Sequence, residues 1–162
     1  MSVLDPFYRK QQAVVDHLAE AVEQIPEDKL MWKPCKRSLP WLYLSYHTGT
    51  HRQMLLRLFK GEPHNFPVCY AEAAKEAKTP SDVAEFLRET WNEFRSFLES
   101  KPADYADKAI SPPWGGPDMT VEQLAWWTFE ESVHHRGQAW LYARMNGITP
   151  PVIWGTEDIG HF

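Results

Sequence analysis

Two pairs of side chains in this sequence are spaced to reach a common point from adjacent helical turns. They are Glu131 with His135, and His47 with His51. The first pair lies inside Glu130-Glu131-Ser132-Val133-His134-His135-Arg136-Gly137-Gln138, the middle of a long helical pattern. At about 3.6 residues per turn, Glu131, His135, Gln138 and Tyr142 fall in one narrow sector together with Leu124. That sector is the one a helix normally buries. A carboxylate and an imidazole there each cost several kcal/mol unless paired, hydrogen-bonded or bound to a metal. An acid and an imidazole at i and i+4 can meet one divalent ion, as in helical metal sites generally. His134 is rotated by about 100° from His135, towards the flank, so His135 is read as the inward residue.

Four elements must position these groups. Asp5 and Pro6 read as the N-cap and first residue of a helix. Val14, Leu18, Ala21, Val22 and Ile25 form its stripe, Pro26 closes it, and His17 sits beside the stripe. Leu30-Met31-Trp32-Lys33-Pro34-Cys35 reads as an anchored loop. Ser38 is the expected cap of the second helix, with Pro40 in its first turn and Gly61 past its end. There His47 shares a face with Leu44, His51, Met54 and Leu58, and Tyr43 lies close by. A lone histidine on such a face is more often core. Two at i and i+4, with an acid–imidazole pair elsewhere, argue for ligation.

Residues 62–78 read as a connection, with His64 in an exposed part and a short helical turn over Ala71–Glu76. Thr79 and Asp82 form a capping box for a third helix. Its buried face is Val83, Leu87, Thr90, Trp91, Phe94 and Leu98, and Lys101-Pro102 ends it. Residues 103–119 read as a loop whose Pro112–Pro117 centre is compatible with a hairpin or a lid. Thr120 and Gln123 box the start of the last helix, which runs to about Asn146 and stops at Gly147. The tail from Pro150, with Trp154 and His161, is expected to pack along the bundle. Four amphipathic helices without a strand pattern predict an all-α four-helix bundle, a single domain over residues 1–162.

Composition narrows the function. The chain has 162 residues, 43% hydrophobic and 24% charged, which suits one globular core. With 17 basic against 22 acidic residues and a net charge of -5, no basic surface dominates, which argues against nucleic acid as a partner. Cys35 and Cys69 make neither a disulfide framework nor a zinc-finger pattern and read as reduced thiols. No secretory pattern and no membrane-length apolar run occur, so the reading is a soluble, cytoplasmic protein with no membrane partner. Eight tryptophans suit a bundle core or an aromatic-lined pocket.

The run His135-Arg136-Gly137-Gln138, then Tyr142-Ala143-Arg144-Met145-Asn146-Gly147 and Pro150-Pro151, resembles the last helix of the DinB/YfiT-like superfamily of metal-binding four-helix bundles. Leu30-x-Trp32-x-Pro34 and the helix bearing His47 resemble the same family in kind and order, so the likeness spans nearly the whole chain. The resemblance implies a divalent metal held by three histidines, one on the second helix and two at i and i+4 on the last. It places ligands at His47 and His135. At Glu131 the family pattern has histidine, and a carboxylate there gives a two-histidine, one-carboxylate set with open positions. Nickel or zinc follow from the resemblance, manganese or iron(II) from the oxygen ligand. A site without metal, in which Glu131 pairs with His47 or His51, is the alternative.

The resemblance also implies a metal-dependent enzyme acting on a small-molecule substrate. Its nucleophile is a metal-activated water or thiol, in a hydrolase or a transferase using a low-molecular-weight thiol. His51, Glu130 and His134 are candidates for orienting a ligand or serving as general base. Arg136 is the candidate anchor for a phosphate or carboxylate, with a solvated or inter-helix charge as the alternative. The rival function is a non-catalytic, stress-associated binding or dimerisation bundle with a structural or vestigial site. Relatives are often dimers, and the tryptophan surplus is compatible with a homodimer.

Overall fold

The computed structural model describes residues 3–64, 79–112 and 114–152. Expectations for Cys69, the Ala71–Glu76 turn and the tail residues Trp154 and His161 lie outside these residues. Among the described residues there are four α-helices: α1 (Asp5–Glu23), α2 (Trp41–Lys60), α3 (Pro80–Glu99) and α4 (Val121–Met145). No helix among them is long and apolar enough to cross a membrane.

The helix starts divide into two kinds. Thr79 and Thr120 each make the full capping box, their hydroxyls accepting from the Asp82 and Gln123 amides while those side chains accept from the threonine amides. The two expected caps upstream do not form. Asp5 is already helical, Leu4 occupies the cap position, and no side chain caps it. Ser38 is likewise not the cap of α2; its hydroxyl lies 3.1 Å from the Cys35 thiol, and Pro40 takes the cap position. Backbone carbonyls do the work instead. The Trp41 amide donates to Trp32 O and the Leu42 amide to Leu30 O, both at 2.9 Å. The Leu30–Trp32 loop thus satisfies the first donors of α2, which need a partner wherever water is excluded. Gly61 (φ 71°) and Gly147 (φ 75°) end or follow α2 and α4 in the left-handed conformation glycine adopts without strain.

Between α3 and α4, a 3-10 turn (Ala103–Asp107) leads to an antiparallel pair, β1 (Ala109–Ile110) and β2 (Met119–Thr120). Ala109 pairs with Thr120 and Ile110 with Met119. Of the two forms the sequence left open, the structure has the hairpin; two-residue strands carry no readable alternation. β2 runs straight into the cap of α4.

Each of α1 and α2 packs against both α3 and α4, whereas α1 and α2 barely touch. The helix bearing His47 and the helix bearing His135 are therefore neighbours, although α3 lies between them in sequence. The core is aromatic. Phe7 meets Trp91 at 5.8 Å and Phe94 at 6.3 Å in edge-to-face geometry, and the buried Trp91 indole donates to Gln12 Oε1 at 2.6 Å. Two polar links cross helices. Arg52 of α2, wholly buried, donates to Leu87 O at 3.0 Å. Gln11 of α1 donates to the Ser132 hydroxyl at 3.0 Å, next to Glu131.

Gly49 lies between His47 and His51 on α2, and a Cβ there would run into the Phe86 ring, which meets Tyr46 at 4.8 Å in a tilted contact. Gly137 on α4 has open space around its Cβ position. Gly49→Val should therefore lower stability by about 1–3 kcal/mol through overpacking. Gly137→Ala should raise it by about 0.5–1 kcal/mol through helix propensity. Urea denaturation of the two variants beside the parent measures both signs.

Candidate metal centre

Because α2 and α4 run antiparallel, their inward residues form a ladder. Tyr142 meets Trp41 at 6.3 Å between ring centroids, His135 meets His47 at 4.8 Å, and Trp127 meets His51 at 5.2 Å. The middle of the ladder holds the titratable groups. One ligand atom from each of His47, Glu131 and His135 lies within 4.8 Å of the other two, a group that could hold a metal ion. Glu131 Oε2 is 3.4 Å from His135 Nε2 and 3.6 Å from His51 Nδ1. His135 is buried, and the Glu131 side chain keeps 31% of its surface exposed. The carboxylate therefore forms the rim and the imidazoles the floor.

Gln138, one turn beyond His135, fixes that ring. Its Oε1 lies 2.9 Å from His135 Nδ1. An amide oxygen only accepts, so Nδ1 carries the proton and the Nε2 lone pair faces Glu131. Holding the far ring nitrogen through a carbonyl is how proteins orient metal-binding histidines. Nε2 is buried without a hydrogen-bond partner. Left alone, its lone pair would oppose that of a carboxylate oxygen 3.4 Å away. A proton on Nε2 would relieve the conflict, but burial lowers the pKa of His135, against the upward pull of Gln138 and Glu131. A cation between the two atoms relieves it without protonation, so the residues present fit a divalent ion.

The other imidazoles are neutral for the same reason. Burial, helped by the nearby His135, pushes His47 down to about 4. Burial pushes His51 to about 2, with further lowering from His47, His135 and Arg52. Neutral imidazole is the metal-binding form, so no proton need be displaced at neutral pH.

His51 is buried beside the triad, its ring 4.2 Å from that of His47 and stacked on Trp127 at an angle of 15°. His134 is exposed, its ring edge-on to His135 at 5.0 Å. Glu130 is exposed on the outer face of α4. Arg136 lies over the Trp140 ring at 5.1 Å, and Trp140 meets His17 of α1 at 6.0 Å. Arg136 thus belongs to the α1–α4 seam and not to the triad. Gln138 and Trp127 were not assigned a site role from sequence, though both lie one turn from a triad residue on the same face of α4. No sequence signal marks Trp114, which reaches Trp127 at 4.4 Å from the far side of the hairpin.

A model of the DinB superfamily matches residues 11–139. The chain belongs to that superfamily. Solved structures of DinB-like proteins share its fold. One from Bacillus cereus superposes with a TM-score of 0.76 at 15% identity, covering 93% of this chain and 97% of the other. YjoA of Bacillus subtilis gives 0.70 at 19%, covering 92% and 98%. YfiT of Bacillus subtilis gives 0.72 at 16%, covering 90% and 88%; that protein is described as a probable metal-dependent hydrolase with an unusual four-helix bundle topology. No curated protein matches the chain.

Two outcomes are expected. An unfolded chain protonates histidine near pH ~6.5, whereas the folded chain holds His47 and His51 neutral down to about 4 and about 2. The unfolded state thus binds more protons below pH ~6.5, and stability falls with pH. The urea midpoint of the chelator-treated protein should drop between pH ~6.5 and ~4, and His51→Gln should make that drop smaller. An equal drop in the variant would trace it to other groups. Gln138→Ala should weaken divalent-metal binding by about 10–100-fold, read by calorimetric titration, with the circular dichroism spectrum unchanged.

Proposed function

We propose that this DinB-superfamily protein is a metal-dependent enzyme whose ion is held by His47, Glu131 and His135, and that it acts on a small molecule by hydrolysis or thiol transfer. The reading rests on one observation: with Nδ1–H of His135 donating to Gln138 Oε1, the buried Nε2 lone pair of the neutral ring faces a carboxylate oxygen at 3.4 Å. A divalent ion bound there supplies Lewis-acid activation of a water or a thiol at neutral pH.

The chain's own residues divide the remaining work. His47 and His135 are neutral donors on the floor, and Gln138 holds His135 in register. Glu131 contributes the negative charge and, being part exposed, leaves the outer side of the centre open to solvent. Three protein ligands with an open side are the pattern of catalytic sites; structural sites close the sphere with a fourth. His51 is the nearest group for a fourth ligand or a proton relay. Its stacking on Trp127 and its 3.6 Å approach to Glu131 Oε2 favour a positioning role beside the carboxylate over either of these. YfiT, described as a probable metal-dependent hydrolase, makes hydrolysis the first chemistry to screen and a low-molecular-weight thiol the second. Zinc and nickel suit the two imidazoles, while the carboxylate admits manganese or iron(II).

Protein purified without an affinity tag should carry about one equivalent of divalent metal by elemental analysis, and His47→Ala should carry little. Glu131→His should raise affinity for nickel and zinc over manganese, since an imidazole replaces an oxygen ligand. Failure of the parent to take up zinc, nickel, manganese or iron(II) would remove the catalytic reading and leave the binding bundle in its place.

A further inference from the structure

The ladder of rings does not stop at His51. Trp127, one turn before Glu131 on α4, stacks on His51, and its indole is met at 4.4 Å and 38° by that of Trp114. Trp114 comes from the turn between β1 and β2. The Gly115 amide closes that turn on Pro112 O at 3.0 Å, and Gly115 and Gly116 take φ of 83° and 102°, values that side-chain-bearing residues rarely adopt. The hairpin thus presents this tryptophan beside the centre, and 49% of its surface remains exposed. A core tryptophan in this protein looks different: Trp41 and Trp91 are wholly buried. The result is a run of flat rings, the His51 imidazole and then two indoles, leading from the rim carboxylate to solvent.

We propose that Trp114 and Trp127 form the recognition wall of the substrate pocket and take a planar aromatic group, neutral or anionic, whose other end meets the triad. The inference rests on the metal-centre reading above and names the substrate class of that site. Exposed indole faces bind flat rings by stacking and also bind cations. Charge separates the two. Two neutral imidazoles and one carboxylate leave a divalent ion with a net positive charge, which disfavours a cationic group close by. The acidic side chain on the hairpin, Asp118, is engaged by the Ser111 hydroxyl at 2.5 Å, and Glu130 is on the outer face of α4.

Hydroxamates test this, because their two oxygens chelate a divalent ion through open positions whatever the natural substrate is. Metal-loaded protein is titrated calorimetrically with acetohydroxamate, benzohydroxamate, 3-phenylpropionohydroxamate and a hydroxamate bearing a trimethylammonium group. The better aryl compound should bind about tenfold more tightly than acetohydroxamate. In Trp114→Ala that preference should fall below about threefold, with acetohydroxamate affinity changed less than twofold; Trp114→Phe should restore most of it. Trp114 is half exposed, so its removal should leave the helical circular dichroism spectrum intact. Should Trp114→Ala unfold, the Phe and Leu variants carry the comparison, Phe keeping the preference and Leu losing it. Equal affinities for aryl and methyl compounds, or a preference for the cationic one, would overturn the aromatic wall and leave the metal centre standing. No metal uptake, or no hydroxamate binding by loaded protein, would overturn both.

Discussion

Three imidazoles and a carboxylate share the seam between α2 and α4, and the cost of taking them out of water is the constraint on which the rest of this structure turns. Burial drives the imidazoles neutral. Neutral rings still need partners for their nitrogens, and a seam made only of aliphatic side chains would offer none. The fold meets the demand with few groups: Gln138 takes one nitrogen of His135, and Glu131 stands between His135 and His51. What those groups leave at His135 is a buried Nε2 lone pair without a donor, the feature on which the proposed metal centre rests.

Rigidity around the seam follows from the helix order. Since α1 and α2 each pack against both α3 and α4, the α2–α4 seam is backed by α3 behind α2 and by α1 behind α4. This backing has polar registration as well as apolar packing. Gln11 grips Ser132 from α1, beside Glu131, and Arg52 grips the α3 backbone at Leu87, beside His51. At the Tyr142 end, the Trp32 ring packs edge-on against Tyr142 at 5.4 Å while its carbonyl caps α2. One loop residue thus sets the start of α2 and holds the end of α4.

Much of this was legible in the sequence because it is written at helical spacing. The i, i+4 pairs, the Thr79 and Thr120 capping boxes, and the inward choice of His135 over His134 all depend on local geometry. The misassigned starts of α1 and α2 show where local reading fails. Ser38 has the right side chain for a cap, but the α2 donors are satisfied by carbonyls nine and twelve residues upstream, and nothing in side-chain type records that. Arg136 sits next to His135 in sequence yet turns to Trp140 and the α1 seam, because a rotation of about 100° per residue separates neighbours on a helix. Trp114 carries no signal of its own, since its contact with Trp127 depends on the hairpin and not on any repeat.

Glu131 is the residue at which this chain departs from the pattern the resemblance implies. Where the resemblance expects a third histidine, a carboxylate stands at the rim, and its effects on charge and geometry reinforce each other. It reduces the net charge of an occupied centre from that of the ion to one unit less, which weakens the pull on anions and strengthens the hold on harder ions. It also offers two oxygens where an imidazole offers one nitrogen, so one oxygen can turn to an ion while the other meets water at the exposed edge. His51 becomes useful only in this setting. Beside a histidine its ring would be one more neutral neighbour; beside a carboxylate its Nδ1 stands 3.6 Å from Oε2, with the ring held flat by Trp127. On the proposed reading, the carboxylate at Glu131 and the stacking of His51 on Trp127 belong together: the carboxylate needs an orienting partner, and the tryptophan keeps that partner in place.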